Sequence, residues 1–272
     1  MKTPHVFLMC PPEFFDVSYI INPWMHGNVR KIDNALAKQQ WRALYDILTD
    51  HATVRLVHPE PGSPDMVFTA NAGLVKGKRF LVSRFRYPER QYEEPYFADW
   101  FLDRGYDVSL MPRHVPFEGA GDALFHRGAR RLWLAYGHRS VLAAKEVVAD
   151  HVGGEVVPLK LTDQRFYHLD TCFCPLDGGY VLYYPPAFDA ASQATIERLV
   201  PGARRIAIGE EDALAFACNA VAMGTRIVVN RATTAFVDAL GRRGFEVVQT
   251  PLSEFMKAGG SAKCLTLRLD EA

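Results

Sequence analysis

The sequence predicts an α/β protein of one domain, residues 1–272, in which five repeated units close into a ring, a pseudo-symmetric five-bladed α/β propeller. The first observation is a shared pattern: a polar residue, an apolar run, a short turn and usually a second apolar run. The second is that these segments start 44 to 57 residues apart, a spacing typical of repeat architectures. The third is a helix-like stretch and a short β-branched run before each segment. The segments begin at Asp65, Asp122, Asp170, Asn219 and Lys263.

The turn sequences inside these segments predict hairpins. The turns read Lys-Gly-Lys at 76–78, Arg-Gly-Ala-Arg at 127–130, Asp-Gly-Gly at 177–179 and Met-Gly-Thr at 223–225. Glycine supplies the positive φ that tight hairpin turns need. The last segment, from Lys263 onward, is expected to form the fifth hairpin.

Helical spacing of apolar residues predicts the connections between the hairpins. The predicted helices cover residues 29–51, 91–104, 139–151, 189–200 and 232–243, and the strands after them cover 53–59, 107–112, 155–160, 204–209 and 246–252. Glycine at most of the bends is typical of a helix end. A doubly wound sheet is the alternative, but its crossovers would not provide five hairpins.

Composition excludes several classes of protein. The 272 residues carry 31 Lys and Arg against 31 Asp and Glu, and 49% are hydrophobic, as in an ordinary globular protein. The missing basic excess argues against nucleic-acid binding, and no apolar run approaches the roughly 18 residues of a membrane span. The start, MKTPHVFLMCPPEFFD, does not read as a signal peptide. Five irregularly spaced cysteines predict no disulfide framework and a cytoplasmic location.

Polar residues recur at the place where each repeat begins. In a ring of equivalent units these residues would meet around the axis, and polar groups in a tight centre must be paired or functional. They are Asp65 and Asn71, Glu118 and Asp122, His168 and Asp170, Asn219, and Cys264.

Cys264 is the strongest candidate for chemistry among these residues. It follows the loop Gly259-Gly260-Ser261-Ala262, which lets the backbone approach a ligand. The alternatives are a buried structural thiol for Cys264, a surface or satisfied core residue for His168, and a loop carboxylate that caps a turn for Glu118. Together the three make an activated-thiol set. Strand alternation through residues 166–171 is expected to put His168 and Asp170 on one face.

Other patterns carry less weight. Cys172-Phe173-Cys174 has no second cysteine pair, so no metal site is expected. The glycines at 119–121 do not make a dinucleotide fingerprint, because the third glycine is missing and a strand follows. A cluster of arginines is typical of a solvated face, although one or two of them could bind a substrate carboxylate. They are Arg79, Arg84, Arg86 and Arg90.

Four motifs resemble the guanidine-modifying superfamily, also called penteins or amidinotransferases. They are PDMVFTAN at 64–71, FEGAGD at 117–122, HLDT at 168–171 and the late Cys264. With LMCPP at 8–12 and INPWM at 21–25, the chain is most similar to the arginine dihydrolase domain of ornithine–ammonia cycle enzymes, and next to the dimethylarginine dimethylaminohydrolases. The resemblance implies a five-bladed α/β propeller, in agreement with the repeat count.

The resemblance also implies roles for ten residues. Cys264 would be the nucleophile that forms a covalent amidino-thioether, His168 the acid–base group, and Glu118 the residue that orients His168. Deiminases typically carry Asp at the position matching Asn71, and an amide there can satisfy a neutral ureido group as well as a guanidinium. Neither a metal nor an organic cofactor is implied. The substrate-binding residues would be Asn71, Asp170, Asp65, Arg90, Arg139, Asn22 and Phe68.

The implied function is hydrolysis of the guanidino group of arginine to ornithine, carbon dioxide and two ammonia. The alternatives are dimethylarginine hydrolysis, a citrulline-forming deiminase, a transferase and a non-catalytic binding module. Cys264, His168 and Glu118 together argue against the last, because a scaffold does not need this set. The implied partner is a small guanidino substrate, with no nucleic acid and no membrane, and a homo-oligomer is left open.

Overall fold

The predicted repeats form five three-stranded sheets, the blades of a ring. The structure is a computed structural model that describes residues 5–271. The strands are β1 His5–Met9, β2 Ala52–Leu56, β3 Gly73–Lys76, β4 Arg79–Val82, β5 Asp107–Leu110, β6 Ala123–Phe125, β7 Arg131–Tyr136, β8 Glu155–Lys160, β9 Phe173–Leu176, β10 Tyr180–Tyr183, β11 Arg205–Ala207, β12 Val221–Met223, β13 Arg226–Val229, β14 Glu246–Gln249 and β15 Leu267–Arg268.

The longer helices lie within the blades, where each connects the second strand of a sheet to its third, parallel strand. The helices are α1 Asn34–Thr49, α2 Pro88–Gln91, α3 Glu93–Leu102, α4 Gly119–Asp122, α5 Ala144–Val152, α6 Ala190–Leu199, α7 Glu210–Leu214, α8 Thr234–Gly241 and α9 Ser253–Met256. Residues 29–51 give a shorter helix than predicted, because the Asp33 side chain accepts a hydrogen bond from the Leu36 amide and starts α1 there. Asp189 and Thr233 cap α6 and α8 in the same way. No helix within residues 5–271 is long and apolar enough to cross a membrane.

Four blades have the predicted construction. Each has an antiparallel hairpin, as in β6–β7, and a third strand that pairs in parallel after a helical crossover, as in β7–β8. A parallel pair needs such a crossover because its strands run in the same direction. The same order gives β3–β4–β5, β9–β10–β11 and β12–β13–β14.

The prediction of a fifth hairpin from Lys263 onward is wrong. β15 pairs antiparallel with β1, with Leu267 opposite Leu8, and β1 pairs in parallel with β2. The two hairpin strands therefore come from opposite parts of the chain, and their pairing closes the ring. Pairing between distant strands leaves no turn signal in the sequence, which explains the error.

The polar residues at the blade starts lie on short turns, and the strand predicted through residues 166–171 is wrong. Leu169–Thr171 is a 3-10 turn, as is Thr69–Ala72, and Gly119–Asp122 is one turn of α-helix. The Asp122 carboxylate accepts a hydrogen bond from the Leu169 amide. A backbone donor that bonds a side chain is taken from the strand ladder, which favours the turn.

The residues at the five blade starts meet around the axis, as the repeat predicted, and hydrogen bonds join them into a closed circuit. The bonds run from Asn71 Nδ2 to Glu118 O (3.5 Å), Leu169 N to Asp122 Oδ1 (3.1 Å), Asn219 Nδ2 to Asp170 O (3.1 Å), Cys264 N to Asn219 Oδ1 (3.0 Å) and Ala70 N to Cys264 O (3.1 Å). Each blade therefore contributes polar groups to one small centre.

Candidate active site

A small cavity lies over this centre. Most of its wall is formed by residues that the sequence analysis selected. The other three candidates contact this wall: Glu118 bonds to Arg139, and Asp170 lies against Cys264. His168 bonds to Glu118, so all ten candidates come together. The candidates in the wall itself are Asn22, Asp65, Phe68, Asn71, Arg90, Arg139 and Cys264.

Cys264 is held against a carboxylate. Its Sγ lies 3.6 Å and 3.7 Å from the two oxygens of Asp170 and accepts a hydrogen bond from Asn219 Nδ2 at 3.0 Å. Both side chains are almost fully buried. Burial, and then the charge of Asp170, raise the pKa of the Cys264 thiol, while burial raises the pKa of Asp170 to about 7. Burial therefore favours the neutral thiol, and a cation beside the pair would favour its ionisation.

Glu118 and His168 form a second buried pair. Glu118 Oε2 lies 2.7 Å from His168 Nε2 and accepts a bond from Arg139 Nη1 at 2.9 Å. Burial raises the pKa of Glu118, but the Arg139 cation and the bond to His168 outweigh burial and hold that pKa below its usual range. Glu118 is then an ionised acceptor, so Nε2 of His168 carries the shared hydrogen and Nδ1 is the nitrogen left to exchange protons.

Arg90 fixes the orientation of the Asn71 amide. Its Nη1 donates to Asn71 Oδ1 at 2.9 Å, while Nε and Nη2 make a bidentate bond to Glu93 at 2.8 Å and 2.7 Å. Nη2 also donates to the Asp65 carbonyl. The amide oxygen must face Arg90, so the Asn71 NH₂ group faces the axis. Most N–H groups of Arg90 donate hydrogen bonds to other groups of the protein. Its role as a clamp for the substrate carboxylate stays a prediction.

Close packing places the Asn71 amide at the axis. A Cβ atom at Gly121 would lie 2.2 Å from Asn71 Nδ2 and 3.4 Å from His168 Cγ. Only glycine fits between these two side chains. Close packing therefore requires glycine at the second glycine position of FEGAGD.

Asp65 presents an unused acceptor. Its Oδ2 accepts a hydrogen bond from the Tyr19 hydroxyl at 2.9 Å, while its buried Oδ1 has no hydrogen-bond partner among residues 5–271. Burial raises the pKa of Asp65. A buried acceptor without a partner is costly unless a ligand satisfies it, so this oxygen is suited to a substrate N–H group.

The remaining candidates shape the mouth of the cavity. Arg139 lies between the rings of Tyr87 and Tyr167, with its Cζ 4.8 Å and 4.7 Å from their centroids. Asn22 uses its side chain to hold the loop, since Oδ1 accepts from the amides of the Pro23–Met25 turn and Nδ2 donates to the Ala258 carbonyl. Phe68 forms a wall against the backbone of Gly260, where a Cβ atom would clash with its ring.

Sequence reasoning missed three supporting residues. Glu93 follows Arg90 by three positions, the helical spacing that allows an ion pair, and this signal could have been found. Tyr19 carries no such signal, because it reaches Asp65 from a distant part of the chain, whereas Tyr167 directly precedes His168. No group of three or more His, Cys, Asp or Glu within residues 5–271 has an arrangement that could hold a metal ion.

A ring of five α/β blades with a buried cysteine, histidine and carboxylates on its axis is the architecture of the pentein class. The family model for eukaryotic N,N-dimethylarginine dimethylhydrolases matches residues 21–270. The chain belongs to this family. A dimethylarginine dimethylaminohydrolase structure at 19% identity, with a TM-score of 0.82, shares the fold.

Nearer relatives include bifunctional proteins. The chain is 55% identical over 265 residues to the bifunctional arginine dihydrolase/ornithine cyclodeaminase AgrE of Nostoc sp., covering 97% of this chain but 38% of AgrE. The N-terminal domain of ArgZ, an arginine dihydrolase, bound to substrate as a C264S mutant, is 53% identical with a TM-score of 0.97, and 98% of each chain is covered.

Another relative is named for a different substrate. The N(G),N(G)-dimethylarginine dimethylaminohydrolase of Mycobacterium tuberculosis is 41% identical over 271 residues, covering 98% of this chain and 87% of that protein. The chain thus spans well under half the length of AgrE but most of the length of this enzyme.

Proposed function

We propose that this protein hydrolyses the guanidino group of L-arginine twice, to ornithine, carbon dioxide and two ammonia, through covalent intermediates on Cys264. The observation that carries the proposal is the Cys264 thiol beside the Asp170 carboxylate in a cavity that also holds the Glu118–His168 pair. ArgZ, at 53% identity, has been crystallised with substrate, with product and, as an N71S variant, covalently bound to a reaction intermediate.

The first step uses the charge of the substrate. A guanidinium ion that binds Asp170 replaces the water lost on burial and favours the ionised forms of Asp170 and Cys264. The Cys264 thiol gives its proton to Nδ1 of His168, and the thiolate then attacks the guanidinium carbon and forms a C–S bond. The tetrahedral adduct collapses as ammonia departs with a proton from His168, leaving an amidino-thioether.

In the next step His168 acts as a base instead of an acid. Nδ1, which gave its proton to ammonia, takes one from a water molecule that attacks the amidino carbon, and the thiolate leaves with its electron pair. Glu118 stabilises the imidazolium ion whenever it forms, because the Arg139 cation keeps Glu118 ionised. General acid–base catalysis of this kind contributes about 10²–10⁴-fold to the rate.

The second round depends on Asn71. After one round the bound molecule is citrulline, whose ureido group is neutral. The NH₂ group of Asn71 faces the axis, because Arg90 holds the amide oxygen, and it can donate to the ureido oxygen. This bond keeps the ureido carbon beside Cys264 for a second attack and a second water. Two waters and one arginine then balance ornithine, carbon dioxide and two ammonia.

A second candidate is hydrolysis of dimethylarginine to citrulline and dimethylamine, which the family match and the 41% identical M. tuberculosis enzyme favour. Its chemistry at Cys264 is the same, and only the pocket around the outer guanidino nitrogens differs. A citrulline-forming deiminase is the one-round variant of the proposal. The cytoplasmic location and an oligomeric assembly stay predictions.

One experiment separates these functions. Purified protein is incubated separately with arginine, citrulline and dimethylarginine, and products are identified by mass spectrometry with ammonia measured enzymatically. We expect ornithine and two ammonia per arginine. Citrulline with one ammonia would establish a deiminase, and dimethylamine with no reaction on arginine would establish the second candidate. The Cys264→Ala variant, purified in parallel, controls for contaminating enzymes.

A further inference from the structure

The residue before the nucleophile points to the opposite end of the axis. Lys263 lines a second, mainly apolar cavity that shares no lining residue with the substrate cavity. Its Nζ lies 3.4 Å from the Ala120 carbonyl oxygen and 3.5 Å from that of Thr266. Within residues 5–271, no carboxylate oxygen lies close enough to form an ion pair with it. The ammonium is half-buried and its charge is not neutralised by a direct partner.

Other charges in the second cavity are already paired. Arg127 makes a bidentate ion pair with Glu271, with both bonds 2.6 Å long, and Arg268 is bonded to Asp270. These pairs largely cancel their own fields at a distance. Lys263 is also tied to the buried pair: its backbone N–H donates to the Asn219 carbonyl at 3.2 Å, and the Asn219 side chain donates to Cys264 Sγ and to the Asp170 carbonyl.

We propose that Lys263 is a positioning residue that acts through Asp170: from the second cavity, its ammonium keeps the Asp170 carboxylate charged and the Cys264 thiol ready to ionise. This inference rests on the proposed function and deepens it, because the ionised pair is what binds and attacks the guanidinium. Lys263 itself does not touch substrate.

Among the groups around Asp170, Lys263 is the main one that favours the ionised carboxylate. Burial raises the pKa of Asp170, and the Lys263 cation is the first influence that lowers it, ahead of the bonds from Cys264 and Asn219. The same cation lowers the pKa of Cys264. Burial raises the pKa of three other buried titratable groups in this part of the protein, so they are neutral near pH 7; these are Tyr167, Cys172 and Cys174.

The test removes the charge and keeps the hydrogen bonds. Lys263→Gln can still donate to the Ala120 and Thr266 carbonyls, whereas Lys263→Arg keeps the charge. With arginine as substrate, we expect the acid limb of the kcat/KM–pH profile of Lys263→Gln to move up by about one pH unit. Its activity should fall roughly tenfold at pH 7 and recover as the pH rises. Lys263→Arg and the surface variant Lys38→Gln should follow the wild type.

A second readout does not require turnover. The rate at which iodoacetamide alkylates Cys264, followed by peptide mass spectrometry against pH, reports thiolate formation directly. We expect the Lys263→Gln curve to lie about one pH unit above the wild type. This shift would support the Lys263 role even if arginine proved not to be the substrate. Lys263→Met provides the same comparison if the Gln variant does not fold.

Two outcomes would overturn the inference. One is a Lys263→Gln profile that coincides with the wild type in both measurements. The other is a loss that is equal at every pH, which is the signature of a structural defect because it leaves the ionisation of Asp170 and Cys264 unmoved.

Discussion

The Sγ atom of Cys264 lies 3.6 Å from Oδ2 of Asp170, and both groups are buried. Two groups that each disfavour the other's negative charge cannot both ionise cheaply in the empty site. A guanidinium ion removes this conflict, because its positive charge favours both anions. A bound cation therefore increases the fraction of Cys264 that is ionised.

The first prediction concerns the nucleophile. Cys264→Ser should lose at least about 99% of turnover, since an alcohol ionises far less readily than a thiol. Cys174→Ser is the matched control, because its thiol bonds only backbone carbonyls and lines the opposite cavity. Steady-state assays of both variants provide the measurement. More than a few per cent of wild-type activity in Cys264→Ser would remove Cys264 from this role.

The second prediction concerns His168. His168→Ala should still bind arginine but should lower kcat by about 10²–10⁴-fold, because departing ammonia has no proton donor and water has no base. Intact-mass spectrometry after acid quenching should show little covalent adduct. His114→Ala, on an exposed loop, should behave as the wild type. Turnover at the wild-type rate in His168→Ala would show that another group transfers the proton.

The third prediction concerns the number of hydrolytic rounds. Asn71→Asp keeps an acceptor for Arg90 but places a carboxylate oxygen where the NH₂ group faced the axis, 3.5 Å from the Glu118 carbonyl. One hydrogen bond is worth about 0.5–1.5 kcal/mol net, so the product ratio should shift up to about tenfold toward citrulline. Product ratios by mass spectrometry check this. An unchanged ratio would show that Asn71 does not decide whether citrulline leaves.

The fourth prediction links stability to pH through Asp170. Its pKa rises from 3.8 to about 7 on folding, so this group destabilises the empty protein at high pH and has no effect below pH 3.8. The free energy of unfolding of Asp170→Asn at pH 8 should therefore be about 2–4 kcal/mol higher than that of the wild type. The difference should shrink as the pH falls from 7 toward 4.

Urea unfolding at pH 8 and pH 5 measures this difference, and the same variant should no longer bind arginine. A variant that is less stable than the wild type at pH 8 would show that Asp170 contributes more through its bonds to Cys264 and Asn219 than burial of its charge costs.

Much of this protein is determined by local sequence signals. The four hairpin turns, the helices before β5, β8, β11 and β14, and the repeat that brings Asp65, Glu118, Asp170 and Cys264 together all follow from the period of apolar residues and from turn chemistry. These signals act over a few residues, so the sequence alone shows them. Six of the ten candidate site residues lie at these blade starts, whereas Asn22, Phe68, Arg90 and Arg139 were assigned to the site by the family resemblance.

Tertiary structure decided what depends on contacts between distant residues. The pairing of β1 with β15, the 3-10 turn at Leu169–Thr171, the use of Arg90 to orient Asn71 and the position of Lys263 behind the nucleophile carry no local pattern. The pKa values of Asp170 and Glu118 likewise move in opposite directions, although both are buried carboxylates. The difference arises because Glu118 gains a guanidinium and an imidazole as partners while Asp170 faces a thiol, and only the folded chain sets these distances.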